Sequence, residues 1–229
     1  MAESLGLPYD YIKKVALKSS HAYKRYEIPK RAGGNRTIWH PSMELKALQR
    51  WLLSNVIEGW PTHKAAMAYC KGKSIWDNAV LHQTSKYLLR LDLSDFFPSI
   101  SAEDIHKYLE SLSSEWPRDD QHLFCQLVCR EDRLTIGAPS SPALSNVLCF
   151  DLDTRLDSLA HTNAVTYTRY ADDLFFSASK PNVLSTFPPE VKKILERLEM
   201  PANLRLNSRK TRHSSKKGRR LVNRVSTIL

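Results

Sequence analysis

Apolar residues in PSMELKALQRWLLSNV fall at Leu45, Leu48, Trp51, Leu52 and Val56, the spacing that puts one helical face into a core. Ser42 stands where it can cap that helix, and Glu44 falls in its first turn. Just upstream, KRYEIPKRAGGNRTIWH alternates as two strands about Gly33 and Gly34, a pair that tolerates the positive φ of a tight hairpin. KYLLRLDLSDFFPSI is almost continuously apolar up to Pro98, the pattern of a strand buried on both faces. Ser101 with Asp104 forms a capping box for a helix that turns Ile105, Tyr108, Leu109 and Leu112 inward. The turn IGAPSSP leads into one helix from Pro142 through Leu144, Val147, Leu148, Leu152 and Leu156. In TYTRYADDLFFSAS, Val165, Tyr167 and Arg169 alternate before two adjacent aspartates, and Leu174, Phe175 and Phe176 follow them, which predicts a hairpin. A helix near 190–199 and a basic tail complete the order, which predicts an α+β domain with an antiparallel sheet packed on helices.

Composition sharpens this picture in two places. The chain has 229 residues, 42% of them apolar, enough for a sizeable core. It has no apolar run of the ~18 residues a membrane span needs, and MAESLGLPYD has no basic and apolar leader pattern, so a cytoplasmic protein with no membrane partner is expected. Four cysteines make no CxxC pair. His122, Cys125 and Cys129 share a helical face, but their neighbours Leu123, Phe124, Leu127 and Val128 favour buried thiols over a zinc site. The net charge of +10 is concentrated at the end. Residues 201–229 hold nine cations, including Lys216, Lys217, Arg219 and Arg220, and no acid, while the rest of the chain has 25 cations against 24 acids. That block is either a solvated arm or a phosphate-binding surface.

The adjacent acids Asp172 and Asp173 repel each other at a tight turn, so they are either well solvated or neutralised by a cation. Asp92 sits among aliphatic residues in LLRLDLSDFF, where an ionised carboxylate is costly without a partner. If its strand pairs beside the hairpin, the three acids converge although 80 residues separate Asp92 from Asp172. Hard oxygen ligands suit Mg²⁺, which binds through one or two carboxylates and substrate phosphates. Two such ions, with Mn²⁺ as a substitute, would serve nucleotidyl transfer onto a nucleic-acid primer.

YADD (170–173), LDLSDFF with Asp92, and GAPSSP from Gly137 resemble, in order and spacing, the palm motifs of reverse transcriptases. YEIPKRAGGNRTIWHPSMELKALQRWL resembles the fingers of the bacterial retron branch, and NAVLH (78–82) matches its NAxxH element. The resemblance implies a right-hand polymerase fold, with fingers at 1–86 and 103–135, palm at 87–102 and 136–215, and a basic tail at 216–229. It implies Asp92 and Asp172 as principal metal ligands, Asp173 as a supporting one, and the Leu93 carbonyl completing a shell. Phe97 would exclude a ribose 2′-hydroxyl, with Phe96 in the core. Arg36, with Lys30 or Arg31, would clamp the triphosphate. Lys210 would be the general acid for pyrophosphate. Tyr170 would place the primer end, and Asn78 and His82 would contact structured RNA or serve as local scaffold.

Two departures stand out. Ile136 occupies the position where the family usually has a glutamine near the nucleotide. The chain also closes on LVNRVSTIL, without the Val-Thr-Gly element, so a missing or truncated thumb, or one supplied by a separate chain, is expected. The implied partners are a structured noncoding RNA serving as template and primer, its branched DNA product (msDNA), dNTPs, and an accessory effector protein in anti-phage defence. Three other readings remain open at this stage. They are a thumbless RNA-binding relative, a group II intron or diversity-generating reverse transcriptase, and a palm-fold cyclase.

Overall fold

The structure is a computed structural model that describes residues 2–29, 33–112 and 116–216, the backbone of 221–222 and 225–226, and the Val222 side chain. The chain divides into two compact units, 1–60 with 97–148 and 61–96 with 149–229.

In the first unit, the strands β1 (Tyr23–Pro29) and β2 (Asn35–Pro41) form the antiparallel hairpin the alternation predicts, from Tyr23 opposite Pro41 to Pro29 opposite Asn35. Its helices are α1 (Ala2–Leu5), α2 (Tyr9–Leu17), α3 (Met43–Asn55), α5 (Ala102–Ser111), α6 (Arg118–Val128) and α7 (Ser141–Leu148). Ser42 caps α3 by accepting from the Leu45 N–H at 3.3 Å. The Ser101–Asp104 capping box is complete at α5. Leu45, Leu48, Leu52, Ile105, Leu109, Phe124 and Leu127 are buried as this unit's core. Within it Gln49 is buried, but its Nε2 donates to Tyr23 Oη and the Leu127 carbonyl, both at 2.8 Å, which offsets the desolvation of the amide nitrogen. Cys125 and Cys129 are buried free thiols, and burial pushes Cys125 up to about 12.

The second unit holds α4 (Ile75–Leu81), α8 (Phe150–Thr162), α9 (Phe187–Glu196) and a four-stranded antiparallel sheet in the order β4-β5-β3-β6. The strands are β3 (Tyr87–Asp92), β4 (Thr166–Tyr170), β5 (Asp173–Ala178) and β6 (Arg212–Ser215). A short ribbon, β7 (Leu221–Val222) with β8 (Val225–Ser226), follows. Side chains alternate between the sheet's faces. On one face Phe176 stacks on Tyr167 and meets Phe187 of α9. On the other, Phe175 and Leu88 pack with Ala79 of α4 and with Val222.

One expectation changes. The single helix expected from Pro142 to Leu156 is two, because fully buried Cys149 has φ −82° and ψ 9°, in the sparsely allowed region between helix and strand. The two compact units are held by bonds at their margins. Residues 61–86 group with the sheet, where the Ala65 carbonyl accepts from Arg169 N–H and Met67 N–H donates to the Arg169 carbonyl, both at 2.8 Å. Residues 136–148 group with the first unit, where the Ile136 carbonyl accepts from Trp39 N–H at 2.8 Å.

Candidate active site

Strand β3 runs down the middle of the sheet and ends at Asp92, which lies directly opposite Asp173, the first residue of β5. Tyr170 and Asp173 close the β4–β5 hairpin, leaving Ala171 and Asp172 as its two-residue turn. Ala171 takes φ +56° there, an excursion that the small side chain and the flanking ladder make tolerable. Leu93 N–H donates to the Asp172 carbonyl at 2.8 Å, so the turn is fastened to the residue that follows Asp92. Asp92 and the adjacent Asp172 and Asp173, 80 residues further on, are thereby brought to one end of the sheet.

Each of two carboxylates meets a cation. Asp92 is buried, and Lys210 Nζ donates to its Oδ1 at 2.9 Å and its Oδ2 at 3.0 Å. Lys210 reaches it because residues 205–207 run beside the strand end: the Arg205 carbonyl accepts from Ser94 N–H, and Asn207 N–H donates to the Asp92 carbonyl. Asp173 receives a two-pronged bond from Arg90, Nε to Oδ1 at 2.9 Å and Nη2 to Oδ2 at 2.8 Å. Burial nevertheless raises the Asp173 pKa to about 6. Arg90 opposes that rise, and the negative charges of Asp172 and Asp92 add to it.

Among the described residues, no three His, Cys, Asp or Glu side chains gather as a ready-made cation cage. The donor set instead fits a Mg²⁺ that takes one or two carboxylates and completes its shell with water and substrate phosphates. Asp92 offers a buried carboxylate whose partner, Lys210, is exposed on a flexible stem.

Behind the turn lies a buried network that the sequence reading passed over. On the opposite sheet face from Asp92 and Asp173, Arg169 donates through Nε and Nη2 to Asp153 of α8 at 2.8 and 2.7 Å, and Tyr167 Oη donates to Asp153 at 2.7 Å. Arg169 Nη1 also donates to the Ala171 carbonyl at 3.3 Å. Burial works against the Arg169 charge, but the adjoining Asp153 carboxylate outweighs it and holds the guanidinium pKa above its ordinary value. Asp153 lies inside the apolar stripe of Leu152, Leu156 and Ala160, a signal in the sequence that could have revealed it.

Arg36, Phe97, Ile136 and Gly137 belong to the first unit. Arg36 is exposed on β2 opposite Ile28. Phe97 is half-buried, whereas Phe96 is buried. Gly137 has φ +113°, and a Cβ there would stand 2.5 Å from the Trp39 carbonyl oxygen, so glycine is required by a close backbone approach. Tyr170 packs on the cluster of Ala79, Leu88, Phe175 and Val222, and Lys216 is exposed. Lys30, Arg31, Lys217, Arg219 and Arg220 lie outside the described residues. Asn78 and His82 are fully buried. Their side chains bond within the unit, to Thr168 and Ser177.

The fold resembles two solved telomerase structures. It matches telomerase from Candida albicans in complex with a telomeric RNA fragment at TM-score 0.56, 13% identity, 85% of this chain and 43% of that one. It matches apo telomerase from Candida tropicalis at TM-score 0.59, 11% identity, 91% and 48%. Residues 28–222 match the family model "Reverse transcriptase (RNA-dependent DNA polymerase)". The chain is 40% identical to the Retron Mx162 reverse transcriptase of Myxococcus xanthus, covering 87% of this chain and 46% of that protein. Against the Retron Ec83 reverse transcriptase of Escherichia coli it is 38% identical over 93% and 71%, and against Retron Ec86 31% over 97% and 68%. The chain belongs to the reverse transcriptase family, on its retron branch. It spans about half the length of the Myxococcus relative.

Proposed function

We propose that this chain carries out RNA-directed DNA synthesis, adding dNTPs to a primer hydroxyl on a structured noncoding RNA and yielding msDNA. The observation that carries this reading is the placement of Asp92 opposite Asp173, with the Asp172 carbonyl bonded to Leu93 N–H. Asp92 and Asp172, with Asp173 and the Leu93 carbonyl in support, would hold two Mg²⁺ ions. Such ions, when bound, neutralise phosphate charge and acidify the primer hydroxyl.

The chain's own residues would do the rest. Arg36, joined by Lys30 or Arg31, grips triphosphate oxygens with donors suited to paired acceptors. Phe97 selects against a 2′-hydroxyl, and Ile136 and Gly137 line the nucleotide. Lys210 Nζ carries a proton that it passes to the departing pyrophosphate. Tyr170 places the primer terminus, and the basic residues from Lys216 to Arg220 bind phosphates of the RNA. A role in anti-phage defence beside an effector protein extends the same reading.

The test is dNTP incorporation on an RNA template with Mg²⁺, comparing the chain with Asp172→Asn. Loss of about three orders of magnitude in the variant is expected, the scale on which removed electrostatic stabilisation acts. Equal activity in both would overturn the assignment. RNA binding without incorporation by either would select a binding relative instead.

A further inference from the structure

Asn78 and His82 are prominent in the sequence, yet the proposed chemistry leaves them no task. Both are fully buried, and so in effect are Thr168 and Ser177. The four side chains form one hydrogen-bonded series: Ser177 Oγ to His82 Nδ1 at 2.8 Å, His82 Nε2 to Thr168 Oγ1 at 2.7 Å, and Thr168 Oγ1 to Asn78 Oδ1 at 2.5 Å. Thr166 lies opposite Ser177 in the ladder, so Thr168 and Ser177 are diagonal neighbours on one sheet face. The imidazole spans them, tying α4 to both strands of the hairpin that carries Asp172 and Asp173.

The chemistry of the four groups orders their protons. An amide oxygen only accepts, so the Thr168 hydroxyl spends its one proton on Asn78 Oδ1. Thr168 Oγ1 must then accept from His82, which places a proton on Nε2. In a neutral ring Nδ1 is then left to accept from the Ser177 hydroxyl. We propose that His82 is a positioning residue, a neutral imidazole protonated at Nε2 that fixes β4 against β5 and so aims the turn bearing Asp172 and Asp173. A slip between the strands would strand several buried polar atoms without partners, each at the cost of its desolvation. Its catalytic consequence rests on the polymerase reading; its structural content does not.

The turn carries its own reporter, because Leu93 N–H donates to the Asp172 carbonyl. On the full chain, isotope-labelled and near neutral pH, the imidazole nitrogen shifts of His82 should show a proton on Nε2 alone. A proton on Nδ1, which reverses the series, or on both nitrogens overturns the proposal. Thr168→Val keeps the shape but removes the central hydroxyl. Amide exchange at Leu93 should then quicken about tenfold or more, while α9 changes by less than about twofold. Thr168→Ser should restore it. Unchanged exchange at Leu93, or equal acceleration in α9, overturns the positioning role. Should Thr168→Val fail to fold, Ser177→Ala gives the same comparison with one donor removed. In primer extension, kcat per folded molecule should fall in Thr168→Val with the dNTP KM unchanged, and an unchanged kcat counts against the proposal. A wild-type chain that incorporates no dNTP defeats the polymerase reading, and the exchange comparison still decides this one.

Discussion

Two acid–base pairs flank the same sheet and have opposite characters. Arg169 and Asp153 are both 0% exposed, locked together by two guanidinium bonds. Lys210 is 59% exposed against a nearly buried Asp92. The difference is one of exit. Arg169 has no route to water, and its pairing with Asp153 makes its charge bearable inside the unit. Lys210 already stands largely in solvent, so opening its pair with Asp92 would bury no lysine charge. Arg90 with Asp173, at 38% and 13% exposed, lies between the two. Burial of the basic partner thus separates an ion pair that builds the fold from one suited to chemistry.

The contrast can be broken first at its buried end. Asp153→Asn leaves Arg169 charged and uncompensated, and urea unfolding should show a loss of about 3–5 kcal/mol. At the open end, Lys210→Met should lower turnover about a hundredfold in primer extension. It should change stability by only about 1 kcal/mol, as solvated pairs do. Tighter Mg²⁺ binding by calorimetry should accompany the lost turnover, since Asp92 no longer has its lysine.

The intermediate pair makes a pH prediction. Asp173 titrates near 6 in the folded, metal-free chain, above its ordinary value of 3.8. The folded state therefore holds this proton more tightly. The resulting stability is fully present below about pH 4 and is lost as pH rises through about 6, an effect of about 3 kcal/mol. Urea midpoints measured without metal should show this fall, and Asp173→Asn should flatten it. The smallest effect belongs to Arg155 and Asp151, an exposed pair one helical turn apart. Asp151→Asn should move stability by less than about 0.5 kcal/mol.

How much of this was legible in sequence depended on whether the signal was local. Ser42, the Ser101–Asp104 box and the β4–β5 hairpin each declare themselves within a few residues, and their geometry is as read. Asp92 was legible because a charge inside an aliphatic run is conspicuous. Asp153 and Arg169 were passed over because their partnership crosses from helix to strand, so the acid inside the apolar stripe of α8 showed no partner. Asn78 and His82 could be noticed but not assigned, since their partners Thr168 and Ser177 lie about 90 residues away in the chain. The interruption at Cys149 escaped because apolar spacing continues through it.

The strand order β4-β5-β3-β6 has a consequence for biosynthesis. The first strand of this sheet to leave the ribosome is an interior one, with both hydrogen-bonding edges open. Its neighbour β5 ends at Ala178, which emerges roughly ten seconds later at ordinary elongation rates. Until then an aliphatic strand carrying an acid waits without its ladder, a state in which nascent chains depend on chaperone protection.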